Sequence, residues 1–560
     1  MYAFDVYNEI HVHQDRAEST YNFLDTSVPY DMNGQPILQR IYEGSNVLSY
    51  KQETSGNKKT YLEASLNYDR TFNDDHRVSA LFLFNQQSKL LYPKGTLEDA
   101  IPYRMMGIAG RATYSWKDRY FAEFNIGYNG AENFSPKHRF GTFPAFGVGW
   151  VVSNEKFWKI KNFDVFKLRF SWGQNGNEKI GSFGYTTTMT GGNNYSFGAS
   201  SNGVIHSGTK PTSLANPDLR WETSEQLDFG FDSRFFNNSL SFSFDWFKKD
   251  TKDMLMERPI PLYVGSGSPL SNVGTLTNQG IELEVGYKLS VDKVNLSFLA
   301  NASYVKNEIK NLGNQTGYID KESLPTLGTV SRNENGYPIG YFFGYKAIGV
   351  FQTQEEIDSY ISPATGKPIQ PNAAPGDTKF EDLNGDGVIS DDNEDRTMIG
   401  KPNPDWMVGL TVAADWNGFD LSAFFQGSFG ADVFDALRRY ELAAVNYTSD
   451  ALERWTGPGT SNSMPRIVLG DTPKNFRPST LLVHDASFLR LRNLQVGYTL
   501  PAQLTRKAYI QRLRFYASFD NLLTITGYKG MDPEIGSTMG IDKGVYPQAR
   551  VYTFGLNLTF

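Results

Sequence analysis

The sequence has no cysteine and little net charge. The absence of cysteine from all 560 residues excludes disulfide bonds and the metal sites that depend on clusters of thiolates. The 54 basic and 61 acidic side chains leave a net charge of -7. A general nucleic-acid-binding protein would show a basic surface, so this mild acidity argues against nucleic acid as a partner.

Long apolar runs are also missing. No stretch approaches the roughly 18 uninterrupted apolar residues of a membrane-spanning helix, and the mean hydropathy is -0.44. A hydropathy scan would therefore describe a soluble protein. A transmembrane β-barrel gives the same result, because lipid-facing and lumen-facing residues alternate along each strand. Composition alone leaves a large secreted β-protein and a barrel both open.

A secretory signal is absent from the N-terminal region. Residues 1–30 lack a basic start followed by an apolar core. An outer-membrane protein needs such a signal, so two alternatives remain: a cytosolic chain, or a chain whose true beginning lies upstream. The pattern of the remaining sequence favours the second alternative.

Aromatic residues and glycine are abundant, and the C-terminus shows how they are used. Aromatics make up 14% of the chain, with 40 Phe and 31 Tyr, and there are 52 Gly. In the final segment, alternate residues form an apolar face: Tyr552, Phe554, Leu556, Leu558 and Phe560. The residues between them are mostly small or polar, as expected for a strand with two different faces. We predict a membrane-facing strand that closes a barrel.

The same alternation recurs upstream in pairs of segments. Hairpins are predicted over residues 61–90, 110–130, 224–251, 280–307 and 404–430, and single strands over 489–501 and 513–526. Polar turns are predicted at Asn73–His76, Lys117-Asp118, Asn237-Asn238, Asp292-Lys293 and Asn417-Gly418. Between the hairpins lie long stretches rich in Gly, Asn and Ser: 176–215, 253–278, 310–338, 352–400 and 431–485. Short turns at one end and long loops at the other are typical of outer-membrane barrels.

Several segments resemble motifs of the SusC-type (SusC/RagA) TonB-dependent outer-membrane transporters, in that family's order. They are residues 110–124, 140–153, 167–177, 215–232, 272–287, 336–357, 382–387, 399–406, 488–501, 520–534 and 546–560. The resemblance implies an all-β fold, an antiparallel transmembrane barrel of about 22 strands. We count roughly 14 to 17 strand candidates, so residues 1–560 are expected to form a partial barrel domain. The signal, TonB box and plug of the family are not visible in this sequence.

The resemblance also implies a function. Family members import glycans or peptides across the outer membrane of Gram-negative bacteria, with a SusD-like surface lipoprotein as lid and with TonB pulling on the plug. This segment would supply the wall, the extracellular loops and the lipoprotein-binding surface, embedded in outer-membrane lipid. Two alternatives stay open: a secreted calcium-binding β-rich adhesin or glycan-binding module, and a non-functional truncated remnant.

One segment has the spacing of a calcium loop. In DLNGDGVISDDNED, Asp382, Asn384 and Asp386 take positions one, three and five, and Val388 takes the backbone-carbonyl position. Position twelve is Asn393 rather than the glutamate of an EF-hand, and by the resemblance Asp395 is the closing residue. The alternative is an ordinary solvated turn. Calcium would here be structural, and no cofactor is required.

An aromatic cluster is the other candidate site. Tyr337, Tyr341, Phe342 and Phe343 lie close together in sequence, and flat aromatic faces can stack on sugars along a substrate path. The alternative is that these rings pack a loop against the barrel wall. No pattern of catalytic residues is found, since none of the six His lies in an HExxH-type pair. We therefore predict that the chain is not an enzyme.

Overall fold

The main element of the computed structural model is one antiparallel sheet of 16 strands. The structure describes residues 1–14, 19–23, 28–45, 47–92, 101–179, 183–187, 189–192, 194–197, 204–211, 214–258, 260–437, 446–535 and 539–560. We number the sheet strands β1 to β16: Tyr2–His13, Lys51–Phe72, His76–Tyr92, Tyr103–Trp116, Tyr120–Ala131, Phe140–Val151, Phe163–Asn177, Glu222–Phe235, Leu240–Glu257, Leu270–Val291, Val294–Asn311, Trp406–Trp416, Phe419–Phe429, Phe488–Thr499, Arg512–Thr526 and Val551–Thr559. Each strand pairs with the next in chain order.

The connections alternate between the two ends of the sheet. One end, the short-turn end, carries residues 73–75, 117–119, 152–162, 236–239, 292–293, 417–418 and 500–511. At the tightest of these turns Asn417 and Gly418 have φ of 48° and 90°. A two-residue hairpin turn with both φ positive matches the twist of its strands, which explains the Asn-Gly pair. The predicted turns and the predicted strand number are confirmed.

The predicted loop 253–278 is wrong in its bounds. β9 continues to Glu257 and β10 begins at Leu270, so only residues 258–269 connect them. The reason is apolar packing beyond the expected strand ends. Met256 packs with Ile309 near the end of β11 and with Leu312 at the start of the connection that follows it. Burying these side chains favours continued pairing over a free loop.

At the other end, three connections fold together into what we call the cap, which comprises residues 312–405 and the described residues within 430–487 and 527–550. Its small strands are Tyr318–Asp320, Ser323–Leu324, Gly328–Thr329, Ser331–Glu334, Tyr341–Tyr345, Ala347–Val350, Thr378–Phe380, Arg396–Gly400, Asp432–Asp435, Val483–Asp485 and Ile541–Asp542. Its helices are α1, Gln354–Ser359, and 3-10 turns at Ser449–Glu453, Leu469–Asp471 and Thr480–Leu482. Phe342, Phe434 and Ile541, one from each connection, share one buried core.

The remaining elements are short. Further strands are Thr20–Phe23, Leu38–Tyr42, Met189–Gly191, Tyr195–Phe197, Val204–His206 and Thr209–Pro211. The short-turn end has α2, Ala502–Thr505, and 3-10 turns at Val152–Asn154 and Arg506–Ala508; another 3-10 turn, Leu262–Val264, follows β9. Among the residues described, no helix has the length and apolar character to cross a bilayer.

Candidate functional site

The sheet has an apolar face and a polar face, because residues alternate and every register keeps that alternation. On β16, Phe554 is 75% exposed and pairs with Ala517 of β15, while Gly555 pairs with Tyr516 on the other face. Side chains on the apolar face include Trp116, Phe124, Phe146, Val148, Phe170, Phe229, Phe244, Trp246 and Ile281. Side chains on the polar face include Arg77, Thr113, Glu123, Lys167, Arg169, Asp232, Asp245, Glu282 and Asn301. Such a sheet separates an apolar medium from a hydrated one.

Rings on the apolar face form a belt at the short-turn end. The ring centroids of His76 and Trp116 are 6.3 Å apart, those of Trp116 and Tyr120 are 5.5 Å apart, and those of Tyr120 and Trp150 are 6.2 Å apart. These residues come from four successive strands, β3 to β6. Aromatic rings collect at the boundary between hydrocarbon and headgroups, where an apolar body and a polar edge are both satisfied. The belt therefore marks one membrane interface.

A second group of rings lies toward the opposite end of the strands. Tyr128 stacks on Phe140 at 5.0 Å, and Tyr304 lies 5.1 Å from Trp406. β12 begins at Trp406 and ends at Trp416, so its 11 residues connect the two levels. At about 3.4 Å per residue and a tilt of about 40°, that strand crosses roughly 25 Å, which matches the apolar band of an outer-membrane barrel.

The polar face carries an acidic concavity near the middle of the sheet. Arg169 of β7 donates to Asp232 at 3.0 Å and to Asp245 at 2.9 Å. Glu282 and Glu284 line the same concavity, which has a volume of about 410 Å³. One guanidinium thus faces four carboxylates. A surface of this charge attracts cationic groups and hydrogen-bond donors and repels anions.

The predicted calcium loop is closed and ordered by its own side-chain oxygens. The two carboxylate oxygens of Asp382 accept hydrogen bonds from the amides of Gly385 and Gly387, at 2.8 and 2.9 Å. Asn384 and Asp386 accept from the amides two residues further on, each at 2.9 Å. Gly387 has φ of 88°, and a Cβ there would lie 2.7 Å from the Ser362 hydroxyl, so glycine is required.

Asp395 closes the loop from the inside. Its side chain is fully buried, and its two oxygens accept from the amides of Leu383 at 3.1 Å and Ser390 at 3.0 Å. Val388, by contrast, is 55% exposed. In the part of the chain that the structure describes, no three His, Cys, Asp or Glu side chains converge to hold a metal ion. Any cation here would also need the Asn384 amide and backbone carbonyls as ligands.

Three members of the predicted aromatic site are buried in the cap. Tyr341, Phe342 and Phe343 are each 2% exposed or less, whereas Tyr337 is 36% exposed. Burial and the hydrogen bond that the Tyr341 hydroxyl donates to Glu334 both raise the pKa of this tyrosine. A buried ring has no free face for a sugar, so this placement favours the packing alternative for these three residues.

Two guanidinium groups lie over the buried ring of Phe343. The centres of the Arg332 and Arg396 guanidiniums are 3.5 and 4.3 Å from its centroid, close enough for cation–π attraction. Arg396 also donates to the Phe343 carbonyl at 2.7 Å, and burial lowers the pKa of this arginine. These contacts hold together the first segment of the cap.

The chain matches a known protein family over most of its length. The family profile described as "TonB dependent receptor-like, beta-barrel" matches residues 2–522. The chain belongs to this family. Family membership places it in the outer membrane of a Gram-negative bacterium, in a family of receptors and transporters.

Individual relatives agree with the family. The chain is 32% identical to TonB-dependent receptor P3 of Formosa agariphila, over 81% of this chain and 45% of that protein. It is 30% identical to TonB-dependent receptor SusC of Bacteroides thetaiotaomicron, over 80% of this chain and 43% of that protein. The solved structure of the RagAB peptide transporter superimposes on all of this chain and 60% of that chain, with a TM-score of 0.75 and 23% identity. The receptor barrel thus spans about half the length of the curated relatives it matches.

Sequence reasoning missed a buried ionic anchor in this receptor barrel. Arg490 on β14 is 2% exposed and donates to Asp532 at 2.6 Å, to Glu534 at 3.0 Å and to Thr524 at 2.9 Å. Burial opposes ionisation of Asp532, but the amides of Gln548 and Glu534 and the arginine outweigh it and hold the pKa of Asp532 below its usual value. The motif at 520–534 could have pointed to this anchor, since its last three residues, Asp-Pro-Glu, supply both carboxylates that contact the arginine.

Proposed function

We propose that the chain forms the wall and outer loops of a TonB-dependent importer for oligopeptides or glycans. The supporting observation is the two-faced sheet, with its apolar face bounded by aromatic belts and its polar face lining a hydrated lumen. A secreted adhesin would expose that apolar face to water, which soluble proteins avoid. The similarity to SusC and to the RagAB peptide transporter supports the same assignment.

The proposed partners are a SusD-like surface lipoprotein and the TonB complex. The cap lies at the long-loop end, which is the extracellular end in outer-membrane barrels. It exposes apolar side chains that include Leu452, at 79%, and Leu469, at 65%. Exposed apolar groups on a rigid folded surface fit a protein partner better than water. The acidic concavity beneath favours substrates that bring cationic groups or hydroxyl donors.

Uptake by cells tests the proposal. We expect a strain without the gene to lose uptake of at least one class among labelled oligopeptides and labelled oligosaccharides. Complementation should restore it, and deletion of TonB should abolish it again. Cell fractionation provides the test against an adhesin, because the protein should require detergent for extraction. Recovery in the culture medium without detergent, together with normal uptake of every substrate tried, would overturn the proposal.

We also propose that a structural calcium ion binds residues 382–395. The ligands would be Asp382, Asn384, Asp386, the carbonyl of Val388 and, as the closing residue, Asp395. The supporting observation is that side-chain oxygens of Asp382, Asn384 and Asp386 already lie along the inside of a tightly curved loop. Each of them accepts a hydrogen bond from a backbone amide. Bound calcium would order the loop and would supply no chemistry.

Of the four aromatic residues, we propose that Tyr337 alone borders the substrate path. Its ring is partly exposed and lies 5.0 Å from that of Tyr341, which supports it from below. An exposed ring held by a buried one is a suitable surface for stacking on a sugar or a peptide side chain.

A further inference from the structure

The turn between β6 and β7 is one of two long connections at the short-turn end, the other being residues 500–511. Most turns there have two to four residues, whereas this connection spans 152–162 and contains the sequence EKFWKIK. Phe157 is 63% exposed and Ile160 is 55% exposed. Two large apolar side chains that are exposed close together on one connection indicate a surface that contacts something other than water.

Two ring contacts place this turn on the lipid side of the wall. The ring of Phe157 lies 6.4 Å from that of Trp150, which belongs to the aromatic belt. The ring of Trp158 stacks at 5.6 Å on Phe166, which shares the apolar face of β7 with Leu168. The turn therefore continues the belt outward, along the membrane surface rather than into the lumen.

Hydrogen bonds hold the start of the turn against the belt. Glu155 accepts from the indole nitrogen of Trp150 at 3.2 Å and from Arg119 at 3.5 Å. The arginine is thereby neutralised, as is Lys117, which pairs with Asp75 at 3.2 Å. The cations of the neighbouring turn are thus already used within the protein.

The cations of the turn itself are available. Lys156, Lys159 and Lys161 are exposed and alternate with the apolar side chains. None of the ion pairs found in the described part of the chain involves these three residues. A lysine beside an apolar surface can lay its stem along the hydrocarbon while its ammonium group reaches the headgroup level. Three unneutralised charges then lie at the depth of lipid phosphates.

We propose that residues 155–162, the interfacial turn, bind an anionic phospholipid of the periplasmic leaflet. Phe157 and Ile160 would enter the acyl region, and the three lysines would contact the phosphate of a lipid such as phosphatidylglycerol. Charge complementarity selects an anionic headgroup over a zwitterionic one, because a zwitterion brings its own cation close to the lysines. Continuity with the belt selects lipid over a protein partner.

Quenching of tryptophan fluorescence by brominated lipids tests this assignment. The protein is placed in nanodiscs of phosphatidylcholine that contain increasing brominated phosphatidylglycerol or brominated phosphatidylcholine. Trp158, which lies in the turn, and Trp150, whose ring contacts Phe157, report lipid contact there. We expect about tenfold preference for the anionic lipid in the native protein. A variant with Lys156→Gln, Lys159→Gln and Lys161→Gln should reduce that preference to about twofold or less.

A matched control removes the same charge from the long-loop end. Lys210→Gln, Lys321→Gln and Lys367→Gln lie on exposed positions there and should leave the preference unchanged. Retention of the heat-modified electrophoretic mobility of a folded barrel shows that each variant is intact. No preference in the native protein, equal loss in both triple variants, or preference for lipopolysaccharide over phosphatidylglycerol would each overturn the proposal.

Discussion

Replacement of Asp532 by Asn should loosen the last connection without unfolding the barrel. The carboxylate is almost fully buried and lies 2.6 Å from the Arg490 guanidinium. Loss of one partner of a buried ion pair costs about 3–5 kcal/mol, because the remaining charge stays buried. Glu534 still contacts the arginine at 3.0 Å and is about one-third exposed, so part of the attraction survives. We therefore expect the Asp532→Asn substitution to destabilise this connection by about 2–3 kcal/mol.

Hydrogen exchange measures this loss at the amides that the anchor protects. The amides of Glu534 and Gln548 donate to Asp532, each at 2.9 Å. At about 1.4 kcal/mol per factor of ten, their exchange should accelerate roughly 30- to 150-fold in the Asp532→Asn protein. Amides of the barrel strands should exchange as before, because the anchor is not part of the sheet pairing.

Two companion variants make the result interpretable. Lys543→Gln, in the same connection as Asp532, removes an exposed ion pair with Glu322, whose carboxylate lies 3.4 Å from the lysine. Exposed pairs contribute about 0–1 kcal/mol, so this control should change exchange little. The double variant Arg490→Met with Asp532→Asn should regain part of the lost protection, since it leaves no unpaired buried charge and the asparagine oxygen still accepts from an amide. Unchanged exchange in Asp532→Asn, or equal acceleration in the control, would refute the reasoning.

The anchor also predicts a pH dependence. The pKa of Asp532 is depressed from its ordinary 3.8, so ionisation stabilises the folded connection. That contribution to stability is complete above a pH of about 4. It is lost as the pH falls through the depressed pKa that Asp532 has in the folded protein. Protection of the Gln548 amide should therefore be flat from neutral pH down to about 4 and decrease below it.

Three further predictions concern other parts of the chain. Phe554→Asp should lower outer-membrane levels in fractionated cells, because a charge on the lipid face costs up to about 2–4 kcal/mol, whereas normal levels would contradict a lipid-facing strand. Asp382→Ala with Asp386→Ala should weaken calcium binding in calorimetry and increase proteolysis of the loop; native protein that binds no calcium would leave only a turn. Phe342→Ala should destabilise the cap by about 3–5 kcal/mol in thermal unfolding, because this ring is fully buried. Tyr337→Ala should instead reduce substrate affinity with little loss of stability, because this ring is partly exposed. The reverse pattern would contradict the different exposure of the two rings.

The parts of the fold that could be predicted are those encoded by neighbours in sequence. Alternation with a period of two identified the hairpins, and residues that tolerate positive φ, such as Asn237 and Asn417, identified the turns. Nothing local to β9 and β10 indicated their extra length, which depends on Met256 meeting Ile309 across the sheet. Hairpins and strand faces are determined by residues that are close in sequence, whereas strand length depends on contacts with residues far along the chain.

The candidate sites show the same division. The oxygen spacing of the 382–395 loop could be predicted because its bonds connect residues a few positions apart. The burial of Phe342 could not, because its neighbours Phe434 and Ile541 lie far along the chain. The Arg490 anchor likewise joins β14 to the connection that follows the next strand, 42 residues further along the chain. An aromatic cluster reads the same in sequence whether it forms a surface or a core.

The shared core of the cap has a consequence for how such proteins can be altered. Because Phe342, Phe434 and Ile541 pack together from three separate connections, exchange of one connection alone would disturb the core that the other two share. In a chimera that receives one connection from a relative, the new side chain would pack poorly against the unchanged side chains of the other two connections. Compensated substitutions in all three connections, or transfer of the contiguous region 312–550 as one block, would keep this core packed. Grafting that block as a unit is the natural route to redesign.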